Sequence, residues 1–244
     1  MCLDQLIHSA AGATDRVNLW AQVCRGCAAQ AVAEVGVWKG EFAQQILSHC
    51  PSIKKYYLLD AWRQLEGWNK PANVSDPAFE QIFAEVLDRT AFAAAKRVVL
   101  RGTTSEVAHQ IADKSLDFCY IDGDHTLRGI MIDLIRLYPK MRDGGIIGGD
   151  DFCPSAWQHA ANYEPTLVFP AAVYFAQAAG SAIYGLPHQQ FAILVDRSRD
   201  QYEFRDLTGQ YKDCSVLQAI AHRRKTNIFR KMGRKIRALV GRPS

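Results

Sequence analysis

Five short apolar runs, at 31–35, 56–59, 98–100, 116–121 and 145–148, lack polar alternation in the manner of strands buried on both faces. Between them, Glu41 to His49 and Thr126 to Met141 place apolar residues at helical spacing, and Asp76 can cap a helix running from about Pro77 to Ala95. Strands alternating with helices predict a parallel, doubly wound α/β sheet. Residues 1–30 are Ala-rich with apolar positions at helical intervals, and predict one or two covering helices before the first strand. The stretch 62–74 has Gly, Pro, Asn and two Trp without period, and reads as a loop or lid at the carboxyl edge of the sheet.

The pattern changes after Asp151. An irregular segment leads to Pro170, a helix is expected over 171–179, and strands over 181–184, 190–195 and 202–205, the late pair as an antiparallel hairpin at a sheet edge. At 244 residues and 48% hydrophobic content, this is one α/β domain with appendages. We divide it into covering helices (1–30), a ligand-binding domain (31–221) and a tail (222–244).

Charge separates the tail from the body. Nine of the 29 Lys and Arg fall in 222–244, which has no acid, so the first 221 residues carry 20 basic against 25 acidic side chains. An acidic body argues against nucleic acid as a partner. In the tail, Ile228, Phe229, Met232, Ile236, Leu239 and Val240 share one helical face, with Lys and Arg elsewhere. Such a basic amphipathic helix can lie on anionic lipid, dock on an acidic partner, pack on a second subunit or rest on its own domain. No run reaches the roughly 18 apolar residues of a membrane span, and Asp4 stands where a secretory leader wants positive charge, so a cytoplasmic protein, with peripheral contact at the inner membrane surface through 222–242 as one option, is expected. Seven cysteines without repeated spacing read as reduced thiols, and the single Cys24-x-x-Cys27 as structural.

The first strand runs straight into Glu34-Val-Gly36-Val-Trp-Lys-Gly40 and a helix. Glycines there allow a sharp turn under a ligand, with the helix amides pointing at it. The G-x-x-x-G spacing differs from the G-x-G-x-x-G of dinucleotide sites, which weakens a nicotinamide or flavin reading. About 20 residues on, Asp60 closes the second strand, where a carboxylate can take the two hydroxyls of an adenosine ribose or, more plainly, shape a turn.

These segments, with Leu116-Asp-Phe-Cys-Tyr-Ile-Asp-Gly-Asp-His125 and Gly144-Gly-Ile-Ile-Gly-Gly-Asp-Asp151, resemble class I S-adenosylmethionine-dependent methyltransferases. More narrowly they resemble the small O-methyltransferases, the macrocin-type sugar enzymes and, at a distance, catechol O-methyltransferase. The resemblance implies a Rossmann-like seven-stranded sheet in order 3-2-1-4-5-7-6 with strand seven antiparallel, and S-adenosylmethionine across the ends of strands one, two and four. It would set Glu34 and Gly36 near the methionine moiety, Asp60 on the ribose, and Thr104 and Ser105 near the adenine.

Asp122 at the end of strand four and Asp150 with Asp151 at the end of strand five would converge across roughly 4.8 Å of strand spacing. Such charges call for a shared proton or a cation, and an all-oxygen set suits Mg²⁺ or another divalent ion better than Zn²⁺. Metal-dependent members of the resembled group hold their ion at these positions. His125, just past Asp122, is a candidate base for a hydroxyl proton, or alternatively a helix cap; Asp124 reads as a helix-start acid. Trp38, Trp62 and Trp68 flank the loop and lid, and Trp157, Tyr163 and Phe169 are candidate acceptor-pocket residues. The expected activity is metal-assisted methyl transfer to a hydroxyl of a sugar or other small polar metabolite. The alternatives are a non-catalytic adenosyl-binding regulatory or scaffold protein and a nicotinamide oxidoreductase.

Overall fold

The structure is a computed structural model and describes residues 2–156, 162–198 and 201–211. Its sheet has the order β3-β2-β1-β4-β5-β7-β6-β8. In chain order these are β1 (Ala31–Val35), β2 (Lys55–Asp60), β3 (Arg97–Arg101), β4 (Leu116–Ile121), β5 (Met141–Gly149), β6 (Ala182–Leu186), β7 (Gln190–Leu194) and β8 (Glu203–Asp206). The first five run parallel, and β7 is antiparallel to both β5 and β6. The expected seven-strand order is present, with an eighth strand added at the edge.

Successive side chains of a strand point to opposite faces, and here each face carries its own core. Val32, Tyr56, Leu58, Phe118 and Tyr120 meet helices α1 (Cys2–Gly12), α2 (Arg16–Gly26), α3 (Glu41–His49) and α4 (Asp76–Arg89) on one side. Ala33, Val35, Tyr57, Leu59 and Ile121 meet α5 (Thr104–Val107), α6 (Leu127–Leu137) and α7 (Val168–Ala178) on the other. Both faces are covered, which is why β1, β2 and β4 read as continuous apolar runs.

Several boundaries differ from the sequence expectation. The helix expected to reach Met141 stops at Leu137, because Pro139 lacks the amide a continuing helix needs. Ser75, not Asp76, takes the N-cap position of α4, with Pro77 in the first turn and the end at Arg89 instead of Ala95. The antiparallel hairpin joins β6 to β7, while β8 pairs with β6 in parallel, so the expected pairing of the last two strands does not form. Residues 61–75 form no regular element, as expected of a lid. Trp157 and the tail segment 222–244 lie outside the described residues.

The register aligns the strand ends. Val35 pairs with Leu59 and with Ile121, and Ile121 pairs with Gly149. The ladder continues one step further through Gly36 N to Leu59 O (2.9 Å), Asp122 N to Val35 O (2.8 Å) and Asp150 N to Ile121 O (3.1 Å). Gly36, Asp60, Asp122 and Asp150 therefore leave the sheet side by side.

Candidate active site at the carboxyl edge of the sheet

The β1–α3 turn requires its first glycine. Gly36 has φ +80°, and a Cβ there would sit 2.0 Å from the Asp122 carbonyl oxygen, so the two strand ends touch through a position no side chain fits. Gly40, φ +74°, starts α3 in the left-handed conformation. Asp60 braces the turn: one carboxylate oxygen accepts from Trp38 N at 2.9 Å and the other from Trp62 N at 3.0 Å. Trp38 (φ 52°), Trp62 (φ 39°) and Asp151 (φ 59°) are left-handed non-glycine residues at the ends of β1, β2 and β5. That conformation costs about 1–2 kcal/mol per residue, and such strain gathers at functional sites.

Glu34 lies beneath this turn on the face covered by α1 to α4, 2% exposed, and accepts the Tyr56 hydroxyl at 2.5 Å. Burial pushes its pKa up to about 8 against that hydrogen bond, with Asp122 adding to the rise. Thr104 is buried and its side chain bonds Asp133 of α6, so it is committed to the protein, while Ser105 is exposed beside it. The capping box of α5 is made by Thr103 with Glu106.

At β4 and β5 the acids converge on two protein cations. Arg16 Nη1 donates to Asp122 Oδ2 at 2.9 Å and also to Asp150 Oδ2. His125 places Nδ1 on Asp151 Oδ2 and Nε2 3.3 Å from Asp122 Oδ1. Its ring is 16% exposed, and Nε2 has no hydrogen-bond partner. Burial pulls the imidazole pKa down, but the carboxylates of Asp122 and Asp151 outweigh it and carry the value to about 10. At neutral pH this His125 is a clamped imidazolium. Asp150 is raised by burial and by Asp122, with Arg16 opposing.

The candidate ligand atoms of Asp122, His125 and Asp151 lie within 4.8 Å of one another. Asp150, the third acid of the set expected from sequence, is instead held by Arg16, Gln190 Nε2 (2.6 Å) and Asp151 N (2.8 Å). The donors suit a divalent ion: hard carboxylate oxygens, and a guanidinium nitrogen standing between two acids where a cation fits.

Two helices and two loops close around the cluster. Trp20, one turn after Arg16 and fully buried, lies where a Cβ on Gly148 would meet its ring at 2.4 Å. Its indole donates to Gln190 Oε1 at 2.8 Å, and Tyr120 donates to the same oxygen at 3.0 Å. Above, Trp68 donates to Asp124 Oδ1 at 3.0 Å, and Lys70, 7% exposed, donates to the carbonyls of Glu164 (3.0 Å) and Pro165 (3.3 Å). The lid is thus tied to the segment that follows β5. Asp124 braces the start of α6 through Thr126, as a helix-start acid does.

Residues 33–152 match a family described as a methyltransferase domain. This stretch of the chain is a methyltransferase domain. Among solved structures this methyltransferase resembles a putative caffeoyl-CoA O-methyltransferase from Staphylococcus aureus, at 14% identity over 75% of this chain and 85% of that one, TM-score 0.57. It also resembles an O-methyltransferase from Bacillus cereus in complex with SAH (13%, 79% and 90%, TM-score 0.53). A third is the O-methyltransferase TomG from Streptomyces achromogenes, involved in tomaymycin synthesis, in complex with SAM (12%, 80% and 89%, TM-score 0.53). At these identities the likeness establishes the fold. No curated protein matches the methyltransferase by sequence.

Other sequence candidates fall elsewhere. Trp38 and Trp62 pack edge-on and tilted against Phe79 and Phe83 of α4. Phe169 joins the core with Phe152 and Tyr211. Cys24, Cys50 and Cys119 form no disulfide, and no described helix is long and apolar enough to cross a membrane. Sequence reasoning missed Arg16, Trp20 and Gln190. They carry no motif, and the i, i+4 spacing of Arg16 and Trp20 shows only that they share a helix face.

Proposed function

We propose that the protein is an O-methyltransferase that transfers the methyl group of S-adenosylmethionine to a hydroxyl of a sugar or another small polar metabolite, assisted by a divalent cation. The observation that carries this reading is the meeting of Asp122, His125, Asp150 and Asp151 beside the Gly36 turn. The solved O-methyltransferases of like fold support oxygen as the acceptor atom.

Gly36 and Gly40 let the backbone approach the cofactor, and the Asp60 carboxylate at the end of β2 faces the ribose hydroxyls. Glu34, held neutral by burial, stands under the methionine end, where a nearby cationic centre favours its ionised form. Asp122, Asp150 and Asp151 would hold the cation, Mg²⁺ or a similar ion. Bound there, it would supply Lewis acidity toward the acceptor hydroxyl.

His125 is the base. In the structure it keeps its proton because two carboxylates face it. With those carboxylates held by a cation the cause of the rise would be removed, so the ring would release its proton to solvent and could then accept the hydroxyl proton. Lys70 and Trp68 hold the lid over this edge and exclude water from the displacement. Positioning of the two reactants can contribute on the order of 7–11 kcal/mol.

Calorimetry with S-adenosylhomocysteine and with NAD tests the cofactor: binding of the first and not the second is expected, and the converse overturns the reading. Methyl transfer from labelled donor to a panel of sugars and phenols tests the acceptor class. His125→Ala is expected to slow transfer by about 10² or more at neutral pH, and an undiminished rate assigns the proton elsewhere.

A further inference from the structure

The carboxylates that would hold the cation already have a partner within the chain. A single nitrogen, Arg16 Nη1, contacts Asp122 Oδ2 at 2.9 Å and Asp150 Oδ2, bridging acids from adjacent strands. Asp150 has little else to offer a ligand. Its Oδ1 accepts from both Asp151 N at 2.8 Å and Gln190 Nε2 at 2.6 Å, which fills that oxygen, so any ion reaching Asp150 must use Oδ2.

The position of Arg16 is built. Asp15 caps α2 by accepting Asn18 N at 2.8 Å, which fixes the first turn from which Arg16 projects. One turn on, Trp20 seats the helix against Gly148 and donates to Gln190, and Gln190 donates to Asp150. Arg16, Asp150, Gln190 and Trp20 thus close a ring of contacts between a covering helix and the sheet edge. The Arg16 side chain is nevertheless 41% exposed, so it can withdraw into solvent while Trp20 keeps the helix in place.

We propose that Arg16 is an internal counter-ion which occupies the place between Asp122 and Asp150 until a divalent cation displaces it, so that guanidinium and metal ion exclude one another. The inference rests on the cation site of the preceding reading and adds its regulation. Both cations need the same Oδ2 lone pairs, and a guanidinium is charged at every accessible pH, so the exchange is a competition between cations. The apparent affinity for a metal ion is then the intrinsic affinity reduced to the fraction of molecules in which Arg16 has withdrawn.

Titration of the full chain with Mn²⁺, followed by the electron paramagnetic resonance of the free ion with S-adenosylhomocysteine present, tests this without any turnover. Arg16→Gln is expected to bind Mn²⁺ about tenfold or more tighter than the wild type, and Arg16→Ala, which leaves no side-chain donor to reach Asp150, to show the gain as well. Adding Asp150→Asn to Arg16→Gln should abolish the gain. Equal or weaker binding in both Arg16 variants, with measurable binding in the wild type, overturns the competition and leaves the cation site standing. Absence of Mn²⁺ binding from all three proteins overturns both.

Discussion

The two halves of the candidate site are built by different means. The donor half, at the ends of β1 and β2, is backbone architecture: a glycine that no other residue can replace, two left-handed tryptophans, and a carboxylate whose oxygens accept main-chain amides. The acceptor half, at the ends of β4 and β5, is side-chain electrostatics, in which three acids are shared between Arg16 and His125. The first is short-range and rigid, and the second is assembled from elements more than a hundred residues apart. Backbone geometry makes a fixed cradle, whereas exchangeable ion pairs make a centre whose charge can be rearranged during a reaction.

The largest effect is expected at Gly36. Gly36→Val puts side-chain atoms where the Asp122 carbonyl stands, so S-adenosylhomocysteine binding should be lost altogether and the thermal midpoint should fall; calorimetry showing retained affinity would disprove the close approach. Next in size is Trp20→Ala. Emptying this fully buried site should lower unfolding free energy by about 3–5 kcal/mol in urea titrations, and it should weaken the acceptor half through Gln190 while sparing the turn.

Asp150→Ala removes an acid from the acceptor half only. Methyl transfer should drop about 100-fold with cofactor affinity within a factor of a few, and an equal loss in both would show that the halves are one unit. The smallest effect concerns pH. Glu34 keeps its proton to about pH 8 when folded, while the unfolded chain releases it near the ordinary 4.5. Between those values the unfolded state binds fewer protons, so this residue makes stability fall as pH rises, by at most about 1.4 kcal/mol per pH unit. Glu34→Gln should flatten that part of the stability profile, read from denaturant midpoints at pH 6 and 7.

Much of the fold was legible because β1 and β4 coincide with their apolar runs, and β2, β3 and β7 lie within a residue of theirs. The sheet covered on both faces leaves no room for polar alternation, so burial writes itself into the sequence. The pairing of the last strand was not legible from local pattern: β7 lies between β5 and β6, so β8 pairs with the far side of β6, in parallel, and no local pattern encodes that. Likewise the boundaries near Pro139 and Ser75 follow cap chemistry that competes with periodicity.

The strand ends, the glycine turn and the acids that terminate β2, β4 and β5 could be read along the chain, because each is a local consequence of chain conformation at a strand end. Only the tertiary structure decided what those acids meet. A helix expected only to cover the sheet delivers Arg16 to Asp122 and Asp150, and His125 closes on Asp151. Ion pairing depends on separations of a few ångströms in space, and residues distant along the chain acquire such separations only when the sheet register and helix packing are complete.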